Sequence, residues 1–265
     1  MMFSNTIDTI VRREVESVVA RKVILDQLEG GPKTGAELRE SIRKNMVAEA
    51  VQSGVRNVKP EDYKVTDPKL YFNTKQLEDL GIIVSRKESQ QRIFELHPRA
   101  IQSVRRALNV SRPKTLFTSI AHPEEARPLV MWLTKEATFN FAFLRMVVEQ
   151  ERFARGVSKN IDRYVPEGIE KKWQTTWHEL PVKVVGYDEG RIRGDLMATY
   201  SHIEKIILEI LPQTEPVVNL STGPPLILMA LSLLAMQYSL TSIYVQHYDA
   251  ERTAITHIVP GEGMI

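Results

Sequence analysis

Apolar positions in the first part of the chain recur mostly at helical spacing. From Ile7 to Leu28 they include Ile10, Val11, Val15, Val18, Val19, Ile24 and Leu25, which predicts one long helix closed by Gly30-Gly31-Pro32. Thr34, with Glu37 three residues on, has the spacing of a capping box. It opens a second helix that buries Leu38 and Ile42. Residues 43–66 hold no sustained period, being broken by Gly54 and Pro60, and read as an insertion. Pro68 then starts a third helix with Leu70, Thr74, Leu77 and Leu80 on one face, and Gly81 ends it. Ile82–Arg86 and Arg92–Leu96 are short β-prone runs around Glu88-Ser89-Gln90, a predicted hairpin, and a closing helix follows over Arg99–Leu108.

The order of scaffold helix, capped helix, helix through Leu-Glu-Asp-Leu-Gly, and charged hairpin resembles the winged helix-turn-helix. That resemblance implies a DNA-binding domain over residues 1–110 and duplex DNA as a partner. With Leu70, Leu77 and Leu80 turned inward, the opposite helix face presents Lys69, Tyr71, Phe72, Lys75 and Gln76 to a major groove. Lys75 is placed for a phosphate and Gln76 for a base edge. Arg86, Lys87 and Arg92 on the wing would lie along the backbone and supply sequence-independent affinity. The competing reading makes this module a protein–protein or dimerisation unit whose basic residues form a solvated face.

Ser111-Arg112-Pro113 marks a boundary, after which short apolar strands alternate with helices. Strands are predicted at Thr115–Ala121, Asn140–Val148, Val182–Tyr187 and Pro216–Leu220. Ser242–His247 and Thr253–Ile258 are predicted to close the described pattern as a hairpin. Helices are predicted over Glu124–Lys135, Gly194–Ile210 and Leu226–Tyr238, with a charged, partly helical region before His178. The expected fold class is therefore α/β. A winged helix-turn-helix precedes a Rossmann-like, mostly parallel domain over residues 113–265, whose ligand belongs beyond the carboxyl ends of its strands.

Two of those strand ends carry small hydroxyl residues in loops that open helices: Thr118-Ser119-Ile120-Ala121-His122 and Asn219-Leu220-Ser221-Thr222-Gly223. A helix N-terminus offers orphan N–H groups and partial positive charge, so both loops are candidate phosphate sites. The plainer reading is that their hydroxyls cap helices. A strand ending in Asn, then Ser/Thr-x-Gly, then an apolar helix resembles the CRISPR-associated Rossmann-fold (CARF) sensor domain. The resemblance implies a cyclic oligoadenylate ligand held across a homodimer by Asn219, Ser221, Thr222 and Gly223, with Thr118, Ser119 and His122 opposite. Fusion to a winged helix resembles archaeal CRISPR-associated regulators.

Three departures stand out. Pro224 replaces a second glycine, Pro225 and Leu226 stand where Thr and Lys would follow, and the sensor comes second rather than first. The first two remove a backbone donor and an ammonium from the loop.

Composition changes this picture little. Residues 1–112 hold 20 Lys/Arg against 15 Asp/Glu and residues 113–265 hold 15 against 18, so the basic excess lies in the first part. There is no cysteine, which excludes disulfides and thiolate chemistry, and the six histidines show no metal-ligand spacing. No metal, cofactor or catalytic residue is expected. The stretch MMFSNTIDTIVRRE lacks a signal-peptide core, and the longest apolar run, Leu226–Met236, is too short to span a membrane. A cytoplasmic protein is expected.

Arg152, Arg155, Lys159, Arg163, Lys171 and Lys172, near Trp173 and Trp177, read as a solvated helix with core tryptophans or as a ligand lid. Asp188, Glu189 and Asp195 read as a solvated turn, and His247 and His257 as structural. The all-apolar Leu226–Tyr238 helix asks for burial on more than one side, inside its domain or in a dimer. The leading expectation is a ligand-responsive, CRISPR-associated transcriptional regulator. The alternatives are a metal-independent ring nuclease and a constitutive DNA-binding dimer.

Overall fold

The computed structural model describes residues 7–149, 160–181, 187–188, 191–192, 194–247, 253–260 and 263–264. The chain divides into two compact units, Met1–Val110 and Ser111–Ile265.

The first unit starts with two helices, α1 (Ile7–Ser17) and α2 (Val19–Glu29), where the periodicity had predicted one. Val18 is the break. Its φ of −138° and ψ of 109° are extended, so the apolar pattern continues through a residue that is not helical. After the two-residue strand β1 (Lys33–Thr34), α3 runs over Gly35–Gln52, ten residues beyond the predicted buried face. The insertion is thus residues 53–66, and it contains a 3-10 turn at Pro60–Asp62.

The capping box forms as its spacing requires. The Thr34 hydroxyl accepts from the Glu37 N–H at 3.3 Å, and the Glu37 carboxylate accepts from the Thr34 N–H at 2.7 Å. That carboxylate is held below the ordinary glutamate pKa, chiefly by the Thr34 backbone bond.

Helix α4 (Asp67–Asp79) ends in a Schellman motif. The Ile82 N–H reaches Leu77 O at 2.9 Å, the Gly81 N–H reaches Glu78 O at 2.9 Å, and Gly81 takes φ +69°. Both Leu77 and Ile82 are fully buried, so the chain turns straight from the helix into β2 (Ile83–Glu88). Strand β3 (Gln91–Leu96) pairs antiparallel with β2 on one side and with β1 on the other, giving the order β1-β3-β2. Helix α5 (Ile101–Leu108) follows a 3-10 turn at Pro98–Ala100 and stops at Asn109, whose left-handed φ of 55° suits asparagine.

One core joins these elements through Val11, Ile24, Leu25, Leu38, Leu77, Ile83 and Val104. Two internal ion pairs clamp α5 to the first two helices: Arg105–Glu29 at 2.9 Å and Arg106–Asp8 at 2.7 Å.

The second unit is α/β and Rossmann-like. Its described strands β4 (Lys114–Thr118), β5 (Phe143–Glu149), β6 (Gln174–Leu180), β9 (Glu215–Asn219) and β10 (Thr241–His247) are parallel neighbours. Strands β11 (Thr253–Val259) and β12 (Gly263–Met264) add antiparallel at one edge, and the order is β12-β11-β10-β9-β4-β5-β6. A separate two-stranded ribbon joins β7 (Tyr187–Asp188) to β8 (Arg191–Ile192).

The third strand was expected at Val182–Tyr187. The sheet instead uses Gln174–Leu180, inside the region read as charged and partly helical, while residues 182–186 lie outside the described ones. β6 is an edge strand with polar side chains at most positions, so it carries no apolar run.

Helix α6 (Ala126–Lys135) connects β4 to β5 and packs on the face formed by Leu116, Leu144, Met146, Val217 and Ile243. Phe117, Val147 and Val218 alternate to the other face. Helix α8 (Pro225–Gln237) connects β9 to β10 and packs beside α7 (Leu196–Ile210). Among the described residues no helix is long and apolar enough to cross a membrane.

Candidate functional site

The sheet order creates a specific crevice in the second unit. From β4 the chain moves to β5 and then β6, whereas from β9 it moves the opposite way to β10. β4 and β9 are nevertheless hydrogen-bonded neighbours, pairing Leu116 with Val217 and Phe117 with Val218. The two connections leave the sheet on opposite sides, so the carboxyl ends of β4 and β9 flank a topological switch point, where open α/β sheets bind their ligands.

Both hydroxyl-rich loops identified in the sequence lie there, and side chains fasten them together. The Asn219 Nδ2 group donates to Thr118 Oγ1 at 3.0 Å, across 101 residues of chain. Asn219 Oδ1 accepts from the Ser221 N–H at 3.0 Å and from the Ser221 hydroxyl. The Ser221 oxygen in turn accepts from the Val245 N–H at 2.6 Å, tying the loop to β10. Thr222 Oγ1 donates to the Ser119 carbonyl at 2.9 Å. Gly223, at φ +123°, lies so close that a Cβ there would stand 2.5 Å from Ser119 Cβ. Only glycine fits this approach.

The seven expected ligand residues therefore divide by exposure. Thr118, Ser119 and Asn219 are buried to within 1% and hold the loops in register. Ser221, Thr222 and Gly223 are half-buried and His122 is exposed, so these four form the accessible rim. The Ser119 hydroxyl is buried without a hydrogen-bond partner.

The donors expected for an anion are partly occupied. Ala121 and His122 both donate their backbone N–H to the Glu125 carboxylate, at 2.6 and 3.3 Å. The turn after β4 thus already holds a negative charge of its own, which sequence reading missed although Glu125 stands three residues after His122. At the other loop, Pro224 caps α8 and Pro225 begins it, and neither has an N–H. The first backbone donors of α8 belong to Leu226 and Ile227.

Several of the remaining candidates have partners of their own within the second unit. Trp173 is buried in the core cluster with Trp177 packed against it, Lys171 pairs with Asp162 at 2.6 Å, and Arg163 lies over the Tyr164 ring. Asp195 caps α7 by accepting from the Ala198 N–H at 2.9 Å, and His257 packs on Phe139. Arg152, Arg155, Lys159 and Glu189 lie outside the described residues. Among the described residues no group of three or more His, Asp or Glu is arranged to hold a metal.

In the first unit, α4 buries Leu70, Asn73, Thr74 and Leu77. Its other face carries Lys69, Tyr71, Phe72 and Lys75 in solvent, with Gln76 half-buried. Tyr71 is 57% and Phe72 66% exposed. Three of the five basic residues proposed for this surface are bonded to carboxylates of the same unit. Lys75 meets Asp79 at 2.6 Å. Arg86 meets Glu88 and Glu95, each at 2.7 Å. Arg92 forks onto Glu78 at 2.8 and 2.9 Å and also donates to Ser85 Oγ. The hydrogen bond to Asp79 raises the Lys75 pKa further above the ordinary lysine value. Lys69 and Lys87 have no carboxylate partner among the described residues; the Lys69 ammonium sits 3.7 Å from Met46 Sδ.

No protein-family model matches the chain, and no curated protein matches it either. Among solved structures, the chain is similar to Csm6 of Enterococcus italicus bound to cyclic hexa-2'-fluoro-hexa-dAMP (15% identity, TM-score 0.39). It is also similar to Can2 of Sulfobacillus thermosulfidooxidans in complex with cyclic tetra-adenylate (13%, 0.36) and to protein VC1899 of Vibrio cholerae (12%, 0.35). The matches cover 51%, 57% and 53% of this chain, but only 33%, 35% and 35% of those chains. The chain thus spans about a third of each structure's length.

Proposed function

We propose that the protein is a ligand-responsive DNA-binding regulator, with a CARF-like sensor in residues 113–265 and a winged helix-turn-helix in residues 1–110. The observation that carries the sensor half is the switch point, where the Asn219–Gly223 and Thr118–His122 loops meet and interlock. A small nucleotide, with cyclic oligoadenylate as the candidate, sits over the rim of His122, Ser221, Thr222 and Gly223. Thr118, Ser119 and Asn219 act as positioning residues beneath it.

The order β1-β3-β2, with α3 and α4 between the first two strands, supports the winged helix. The solvent-facing side of α4 supports its entry into a major groove. The 14 residues separating α3 from α4 make the connection longer than a tight helix-turn-helix turn.

The working form is a homodimer. Met229, Leu233 and Met236 recur at i, i+4 and i+7 along α8 and are 54%, 42% and 76% exposed, an apolar stripe on the helix that leaves the crevice. Packing two copies there sets two crevices side by side and suits an operator with two half-sites. Ligand switching then requires unequal affinity for two arrangements of the dimer.

The test is fluorescence anisotropy on a duplex of the protein's own promoter, with and without cyclic tetra-adenylate, beside calorimetry of the nucleotide alone. A calorimetric signal and a shift in DNA affinity support the reading. Unchanged DNA affinity with no calorimetric signal overturns it. Chromatography of the incubated nucleotide, showing linear product, would make the protein a ring nuclease instead.

A further inference from the structure

We infer that α4 reads duplex DNA mainly through the thymine methyl groups that Tyr71 and Phe72 touch, and only secondarily through phosphate charge. This rests on the DNA-binding reading above and specifies what the surface recognises.

Two observations lead there. The first is that the aromatic pair is deliberately placed in water. Leu70, Asn73, Thr74 and Leu77 already satisfy the core, and Tyr71 and Phe72 stay 57% and 66% exposed on the second turn of the helix. An isolated exposed aromatic is ordinary, but two adjacent ones flanked by Lys69 and Lys75 form an amphipathic patch on the surface that would enter the groove. Within a major groove, the only apolar feature that distinguishes one base pair from another is the C5 methyl of thymine, and aromatic side chains contact it well.

The second observation is the charge balance around that patch. Of the five cations proposed for this surface, Lys75, Arg86 and Arg92 are paired with Asp79, Glu88, Glu95 and Glu78, and Lys69 and Lys87 are the two with no such partner among the described residues. Five cations on phosphates would give a slope of log affinity against log salt of about −4.5 per chain, and two would give about −2. The paired cations are partly solvent-exposed and can be drawn away from their carboxylates. Those carboxylates would then face the phosphates, so the net gain is small.

The experiment starts from a duplex enriched out of a randomised pool by the full-length protein. The same duplex is then made with deoxyuridine at every thymine, and affinities are read by anisotropy across a salt series. Replacing thymine by uracil removes one methyl group and leaves every hydrogen-bonding edge intact. Binding is expected to weaken roughly three- to fivefold for each contacted thymine, and about tenfold or more for two. The salt slope is expected near −2 per chain.

Phe72→Ala and Tyr71→Ala should weaken binding to the thymine duplex and shrink the thymine–uracil difference. Both leave the thermal transition unchanged, because neither ring is in the core. Lys87→Ala should make the salt slope shallower and keep the methyl preference. Equal binding of the thymine and uracil duplexes, or a slope of about −4 or steeper, overturns the inference while leaving DNA binding intact. Failure to enrich any duplex removes the DNA-binding reading and the inference with it.

Discussion

Replacing Gly223 by alanine puts a methyl group into the joint between the two crevice loops. The new Cβ would stand 2.5 Å from Ser119 Cβ, 2.9 Å from Ser119 Oγ and 3.3 Å from the Ser119 carbonyl carbon. Such contacts are closer than carbon atoms tolerate, and Ser119 is fully buried and cannot swing aside. Overpacking of this kind costs about 1–3 kcal/mol. Holding alanine at the φ of +123° costs about 1–3 kcal/mol more. The expected loss is therefore about 2–6 kcal/mol, confined to the second unit.

The assay is tryptophan fluorescence in a urea melt of the full chain. All three tryptophans, Trp132, Trp173 and Trp177, belong to the second unit, so the signal ignores the first. A double variant separates the two terms. Adding Ser119→Gly removes the Cβ and Oγ contacts but leaves the backbone strain and the carbonyl contact, so about 1–2 kcal/mol should return as coupling between the sites. A single-variant loss below about 0.5 kcal/mol, or losses that simply add, would refute the close approach of the loops.

Asn219→Ala deletes the bond to Thr118 and both bonds from Ser221, and leaves the buried Thr118 hydroxyl without its donor. It should cost about 1–3 kcal/mol in the same melt and weaken nucleotide binding, and an unchanged calorimetric profile would count against the fastening role. Glu29→Ala removes the carboxylate beside Arg105, which is 3% exposed. A loss of about 3–5 kcal/mol is expected in the far-UV circular dichroism transition of the first unit, with the tryptophan transition unmoved.

His178 is held below the ordinary imidazole value of 6.5 by burial first. The Arg145 guanidinium 3.4 Å away and His202 reinforce this, and Glu209 opposes it. Its folded pKa lies below the unfolded one, so stability is full above about pH 6.5 and falls as acid protonates the unfolded chain preferentially. His178→Gln should flatten the pH dependence of the tryptophan-reported midpoint between about pH 7.5 and 5.5, and an unaltered slope would contradict it.

Much of the local architecture was written in the sequence, because it depends on neighbours within a few positions. The Thr34/Glu37 cap, the Pro68 start and Gly81 stop of α4, and the turn between β2 and β3 each rest on bonds spanning at most five residues. The short apolar runs that became β4 and β9 were legible because strands buried on both faces are largely apolar, and β10 because buried Ile243 and Val245 alternate with exposed Tyr244 and Gln246. Edge strand β6 was not, since Gln174–Leu180 keeps polar side chains toward solvent, and neither was the break at Val18, where the apolar period continues across a non-helical residue.

What only the tertiary structure decided is pairing at long range. Nothing local says that β4 lies beside β9, which puts Thr118 within 3.0 Å of Asn219, nor that Gly223 must stay bare because Ser119 is against it. Nor does spacing reveal that Arg92 folds back onto Glu78. The sequence alone determined which residues carry the candidate chemistry. The fold decided which of them meet, because strand order and side-chain pairing follow from packing the whole sheet and not from any window along the chain.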